Sequence, residues 1–190
     1  MDNDHSDRLN EIGNTQTGTN PLHIASFKNR IQIVMELIRS PKVCYQKTNN
    51  IIFQLSFQLN LSAKTNDGRT ALFLAAEKNN FEIVELLLKA GDWESLLVVD
   101  DRDRSPLWIA ASNGHCETLK LILKYSKIHK IFDRVVNMRG GEENVTPIYR
   151  AMQRRRFKCV RMLKFAGADL NADAKNIISL ARVFSLLSNV

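Results

Sequence analysis

Asn66-Asp67-Gly68-Arg69-Thr70-Ala71-Leu72-Phe73-Leu74-Ala75, followed after a short polar break by Phe81-Glu82-Ile83-Val84-Glu85-Leu86-Leu87-Leu88-Lys89-Ala90-Gly91, decides the fold of this chain. Asp-Gly tolerates positive φ, so the opening residues suit the tip of a hairpin. Thr70 is placed to cap a helix that begins at Ala71. Apolar residues at helical spacing from Phe81 to Leu88 predict a second helix, with Leu87 on its buried side. Gly91 suits the left-handed residue after a helix. The unit reads as hairpin, helix, turn, helix.

The same unit recurs along the chain. Asn20-Pro21-Leu22-His23-Ile24-Ala25, Thr70-Ala71-Leu72-Phe73-Leu74-Ala75, Ser105-Pro106-Leu107-Trp108-Ile109-Ala110 and Thr146-Pro147-Ile148-Tyr149-Arg150-Ala151 align in order. A recurring unit of this size means an array in which each member buries its apolar side against its neighbours.

These segments resemble the T-P-L-H-x-A signature of the ankyrin repeat, whose period is about 33 residues. Asn113-Gly114-His115 and Phe165-Ala166-Gly167-Ala168-Asp169-Leu170-Asn171 look like further fragments of that pattern. The resemblance covers roughly residues 19 to 182. It implies an all-α fold, an ankyrin-repeat solenoid of stacked helix-turn-helix units with hairpin loops. Residues 1–18, polar and rich in Asn, Asp and Thr, are expected to be a disordered tail. Residues 19–190 then form the repeat domain, and Asn176 to Arg182 reads as a shortened fifth unit that caps the stack.

The spacing departs from the family period. Leu22 to Leu72 is 50 residues, Leu72 to Leu107 is 35 and Leu107 to Ile148 is 41, so extra residues are expected to loop out. The first insertion, near 42–60, contains Ile51-Ile52-Phe53 and then alternating Leu55, Phe57, Leu59 and Leu61. It is a lengthened hairpin finger, a disordered loop or an artefact of gene prediction. On the loop reading, its removal leaves the stack nearly as stable as before.

Composition bounds the function. The chain has 190 residues, 44% hydrophobic and 25% charged, which is ordinary globular composition. Cys44, Cys116 and Cys159 are far apart and odd in number, against a disulfide framework or a zinc site. The N-terminus lacks the basic-then-apolar pattern of a signal peptide, and no run reaches the roughly 20 apolar residues of a membrane helix. A soluble, monomeric, intracellular protein of cytoplasm or nucleus is the expectation.

Catalytic residues, cofactors and metals are not expected. His115-Cys116 is the one place where a base adjoins a nucleophile, but Cys116 falls on the apolar position of Ile31, Phe81 and Phe157, and Cys159 on that of Ile33 and Ile83. No orienting third group can be assigned. Gly140-Gly141 stands outside any phosphate-loop motif, and His5, His23, His115 and His129 have no ligand spacing. By the resemblance, His23 makes a structural hydrogen bond. Its position becomes Phe73, Trp108 and Tyr149 in later units. These aromatics either pack between hairpins and helices or leave Trp108 exposed as a partner anchor.

The resemblance also implies a concave binding face of hairpins and first helices. Carried over by position, its contact residues are Asn66, Asp67, Arg69, Glu77 and Lys78, then Asp101, Arg102, Arg104, Trp108, Ser112 and Asn113, then Glu142, Glu143, Val145, Gln153 and Arg154. Arg150 breaks the pattern by occupying the apolar slot of Ile24, Leu74 and Ile109. Such a residue must open to water or pair with an acid such as Asp173.

Charge is uneven. Residues 101–190 hold 17 Lys or Arg against 8 Asp or Glu, a net +9, whereas the first hundred hold 10 against 12, a net −2. Arg155, Arg156, Lys158, Arg161 and Lys164 form a basic surface, three of them at i, i+3 on one helix face. It is either a solvated surface or an anion-attracting one; the absence of interleaved exposed aromatics favours the former. The expected function is a protein-binding module or adaptor. Its rivals are a binder of nucleic acid or an anionic surface, and the targeting part of a larger effector or enzyme.

Overall fold

The computed structural model describes residues 17–39, 60–170 and 172–173. Expectations for the N-terminal tail, the 42–60 insertion and the capping unit fall almost wholly outside these residues. Four helix pairs follow in order: α1 (Pro21–Phe27) with α2 (Ile31–Arg39), α3 (Ala71–Lys78) with α4 (Phe81–Lys89), α5 (Pro106–Asn113) with α6 (Cys116–Ile128), and α8 (Pro147–Gln153) with α9 (Phe157–Ala166). A 3-10 turn (Glu94–Leu97) follows α4, and a short helix α7 (Phe132–Val136) follows α6.

Each first helix starts the same way. The side chains of Asn20, Thr70, Ser105 and Thr146 accept from the backbone N–H of His23, Phe73, Trp108 and Tyr149, at 3.0, 3.2, 3.2 and 3.4 Å. Each satisfies a donor that the helix itself cannot. Proline occupies the first helical position in three of them, where its missing N–H costs nothing. Between the helices of each pair the chain turns through positive φ, at Asn29, Asn79, Gly114 and Arg155.

The core runs through the stack as registers of equivalent residues. Leu22, Leu72, Leu107 and Ile148 are fully buried, and Ala25, Ala75, Ala110 and Ala151 let successive first helices approach closely. Behind them Val84, Leu87, Leu119, Ile122, Val160 and Leu163 fill the space between second helices.

The 41-residue spacing is not a looped-out segment. Its extra residues lengthen α6 to 13 residues, against nine in α4, and then form α7. Ile131, Val135 and Val136 are buried, and that apolar area is what draws the segment onto the stack as a helix. Trp93 stacks on His129 at the end of this extension, ring centroids 5.0 Å apart.

Two buried polar groups among the described residues have shifted titrations. His23 is buried, its Nε2 donates to Ala63 O at 2.9 Å and its Nδ1 accepts from Asn20 N at 3.0 Å. Burial lowers its pKa below the ordinary 6.5, which keeps the ring neutral. Asp92 is also buried. It accepts from Ser62 Oγ at 3.0 Å and from Ser95 Oγ, but its Oδ2 has no partner, and burial pushes the carboxyl up to about 6.

Truncating Leu87, which is fully buried, to alanine is expected to cost about 2–5 kcal/mol in urea unfolding. A neutral result would mean that this register is wrong. For Asp92 the folded-state pKa is raised, so the folded chain holds the proton more tightly than the unfolded one, and stability is lost as pH rises from about 3.8 through about 6. Asp92→Asn should therefore stabilise at pH 7.5 by about 1–3 kcal/mol, with the gain vanishing by pH 4. Paired thermal melts at the two pH values check this.

Candidate functional site

Hairpins and first helices stand side by side because each hairpin is tied to the one before. Asn66 N donates to Thr17 O at 2.9 Å, Asp101 N to Asp67 O at 3.1 Å and Gly141 N to Arg102 O at 2.7 Å. Gly140 has no room for a side chain, since a Cβ there would lie 2.2 Å from Asp103 O.

A cleft of about 280 Å³ opens on this face between the third and fourth units. Of the residues assigned by repeat position, Glu77, Arg102, Arg104, Trp108, Ser112, Asn113, Glu142, Glu143, Val145 and Arg154 line it. Ile109, Gly140, Gly141 and Arg150 complete the lining. Arg150 was legible as an anomaly in the repeat pattern, but not as a site residue.

Trp108, Ser112 and Val145 are not surface contacts, contrary to their assignment. They are 3, 2 and 0% exposed. The Trp108 indole lies under the cleft with Nε1 donating to Val145 O at 2.9 Å. His23 makes the corresponding bond to the backbone ahead of its following hairpin, so tryptophan replaces the histidine as the donor between units. Phe73 has no donor and is flanked instead by the guanidinium groups of Arg69 and Arg104, 5.7 and 6.0 Å from its ring centroid. Packing is the role of the aromatic positions.

Arg150 keeps its place in an apolar register by lying over the Trp108 ring, 5.2 Å from the centroid. Its Nη1 donates to Gln153 Oε1 at 3.0 Å and to Glu143 Oε1 at 3.3 Å, and Gln153 Nε2 donates to Glu143 Oε2 at 2.6 Å. Asp173 is not its partner. That carboxylate accepts from Thr146 N at 3.1 Å, from Thr146 Oγ1 and from Arg139 Nη1 at 2.7 Å.

The adjoining hairpin side chains are organised by acids. Buried Asp100 accepts from the backbone N–H of Arg102 and Arg104 at 3.1 and 2.9 Å and from Arg104 Nε at 2.9 Å. Arg69 sits 2.9 Å from Asp67 and 3.6 Å from Glu77. Arg102 approaches Glu142 only to 4.0 Å, with both side chains well exposed. Asn66, Asp67, Arg69, Lys78, Asp101 and Gln153 do not line the cleft. Lys78 turns to the first unit, 4.4 Å above the Phe27 ring.

Arg154, Arg155, Arg156, Lys158, Arg161 and Lys164 are all exposed. None of them forms an ion pair among the described residues. Exposed aromatics do interleave with them, contrary to expectation: Phe157 is 38% and Phe165 83% exposed.

His115 does not activate Cys116. Its Nε2 donates to Glu77 O at 3.0 Å, and burial lowers its pKa. Among the described residues no group of His, Cys, Asp and Glu could hold a metal ion, and no helix is long and apolar enough to cross a membrane.

Stacked helix pairs with hairpins on one edge define a repeat protein of the solenoid class. The sequence matches the family model for ankyrin repeats (3 copies) over three overlapping stretches, residues 3–96, 42–131 and 94–174, and the chain belongs to the ankyrin-repeat family. Ankyrin repeats are a non-catalytic fold that generally mediates protein–protein interaction. Similar proteins include the nuclear factor NF-kappa-B p105 subunit of Gallus gallus, 31% identical over 82% of this chain and 14% of the relative. The transient receptor potential cation channel subfamily A member 1 of Homo sapiens is 24% identical over 86% and 16%. The tyrosine-protein kinase HTK16 of Hydra vulgaris is 25% identical over 67% and 16%. The chain thus spans about a seventh of the length of the relatives it matches first.

Trp108 gives the test of this site's construction. Trp108→Phe should cost about 1–3 kcal/mol by leaving Val145 O without its donor, and Trp108→Ala about 3–5 kcal/mol. Near-neutral unfolding data for both would show that the indole is not built into the stack.

Proposed function

We propose that this chain is a binding module or adaptor that holds a partner protein on its concave face, centred on the cleft over Trp108. One observation supports this most strongly. Contact positions assigned by repeat register alone, Glu77, Arg102, Arg104, Asn113, Glu142 and Arg154 among them, converge on a single cleft. Its fixed charges are held by ion pairs and hydrogen bonds before any partner arrives, which lowers the ordering cost of association. Exposed Arg102, Glu142 and Arg154 are the groups free to engage the partner. The module acts as a monomer inside the cell, in cytoplasm or nucleus. It works either by itself or as the targeting part of a longer protein.

A second reading rests on the basic end of the stack. Six exposed cations without ion pairs among the described residues, with exposed Phe157 and Phe165 beside them, suit an anionic surface such as nucleic acid. The two readings separate kinetically.

For a captured protein partner, reversing Arg102 and Arg154 to glutamate should raise the dissociation rate, because packed contacts are lost. Reversing Arg155, Arg161 and Lys164 to glutamate should mainly slow association, an effect that shrinks as salt shortens the screening length to about 10 Å at 0.1 M. Loss of generic nucleic-acid binding in the second variant, with protein binding intact in both, would favour the second reading. Unchanged rates in both variants would reject the concave site.

A further inference from the structure

Two cysteines 43 residues apart meet between the third and fourth units. Cys116 Sγ and Cys159 Sγ are 3.3 Å apart, with no atom between them. Cys116 stands at the first residue of α6 and is partly exposed; Cys159, in α9, is fully buried. A disulfide needs about 2.05 Å between the sulfurs, so closure is a small adjustment of side chains already in contact. Both second helices are fixed by the core around Leu119, Ile122, Val160 and Leu163, which keeps the thiols together.

The surroundings select the co-reactant. Arg155, Arg156 and Lys158 stand at the start of α9, against the single acid Glu117 at the start of α6. The Arg156 side chain runs beside Gly114, where a Cβ would lie 2.8 Å from Arg156 Cδ, and both Arg156 and Lys158 act electrostatically on Cys159. Of the two, Cys116 is the one partly open to a reagent from solution.

We propose that Cys116 and Cys159 form a reversible thiol–disulfide modification site, which takes an anionic low-molecular-weight disulfide of the glutathione type and closes into a bridge between the third and fourth units. Cys116, as thiolate, attacks one sulfur of the reagent. A new S–S bond forms, and one glutathione thiolate leaves with the electron pair of the broken bond and takes up a proton. Cys159 then gives its proton to solvent, attacks Cys116 Sγ and expels the second glutathione thiolate. Two protein thiols are oxidised by two electrons, and one glutathione disulfide is reduced to two thiols. Burial holds the Cys159 thiol above its ordinary range, so the second step is the slow one. It should accelerate about tenfold per pH unit in the neutral range as the thiolate fraction grows.

The test incubates the reduced, folded chain with glutathione disulfide and follows intact mass and non-reducing peptide maps. In the peptide maps the expected product carries a Cys116–Cys159 bridge, two hydrogens lighter than the two free thiols whatever Cys44 takes up; it reverts with dithiothreitol and melts roughly 5–10 °C higher than the reduced chain. Cys159→Ser should stop with one glutathione on Cys116, and folded Cys116→Ser should take none at Cys159. A wild-type chain that stays glutathionylated at Cys116, bridges through Cys44, melts lower once bridged or does not react would overturn the proposal. The wild-type maps decide this even if a serine variant fails to fold.

Discussion

One backbone hydrogen bond per unit, from each hairpin to the one before it, holds the concave side of this molecule in register. Asn66 to Thr17, Asp101 to Asp67 and Gly141 to Arg102 are single bonds, and each is modest alone. Their weight is geometric. They fix how far apart successive hairpins stand, and therefore where Arg102, Arg104, Glu142 and Arg154 lie around a common cleft. Helix packing alone would leave the hairpins free to splay.

The helical side supplies the stability. Leucine or isoleucine recurs at one buried position and alanine at another, so that first helices stack closely while second helices bury their apolar side behind them. Polar side chains at the junctions serve the same stacking. Asn80 Nδ2 donates to Ser26 O at 2.7 Å and His115 Nε2 to Glu77 O at 3.0 Å, each reaching a carbonyl at the end of the preceding first helix. Those acceptors lack intrahelical donors, and the next unit provides them. Interactions between units thus saturate what a single unit leaves open, which is why such arrays fold together.

Charge on the molecule divides into two kinds. Around the hairpins, arginines are committed: Arg104 to Asp100, Arg69 to Asp67 and Glu77, Arg150 to Glu143 and Gln153. These pairs shape the cleft. At the start and along the outer face of α9 the cations form no ion pairs among the described residues, and there they create a field more than a structure. Two of these cations, Arg156 and Lys158, act on buried Cys159, whose sulfur meets the partly exposed thiol of Cys116.

Local signals made the repeat legible from the sequence. A capping side chain and the N–H it accepts from are three residues apart, Asp-Gly specifies its own turn, and the apolar spacing of Phe81 to Leu88 encodes one helix face. These fixed the positions of the helix pairs and the register that pointed to the cleft. What the extra residues of the third unit do was not local. Ile131, Val135 and Val136 become α7 only because a surface is present to bury them. Nor was it local that Trp108 donates to Val145, that Arg150 finds Glu143 while Asp173 finds Thr146 and Arg139, or that Cys116 meets Cys159. Most of those partners lie 27 to 43 residues apart, and even Glu143 reaches Arg150 from a hairpin onto a helix. Their meeting depends on the distance and angle at which whole units stack, which the tertiary structure sets and no single stretch of sequence encodes.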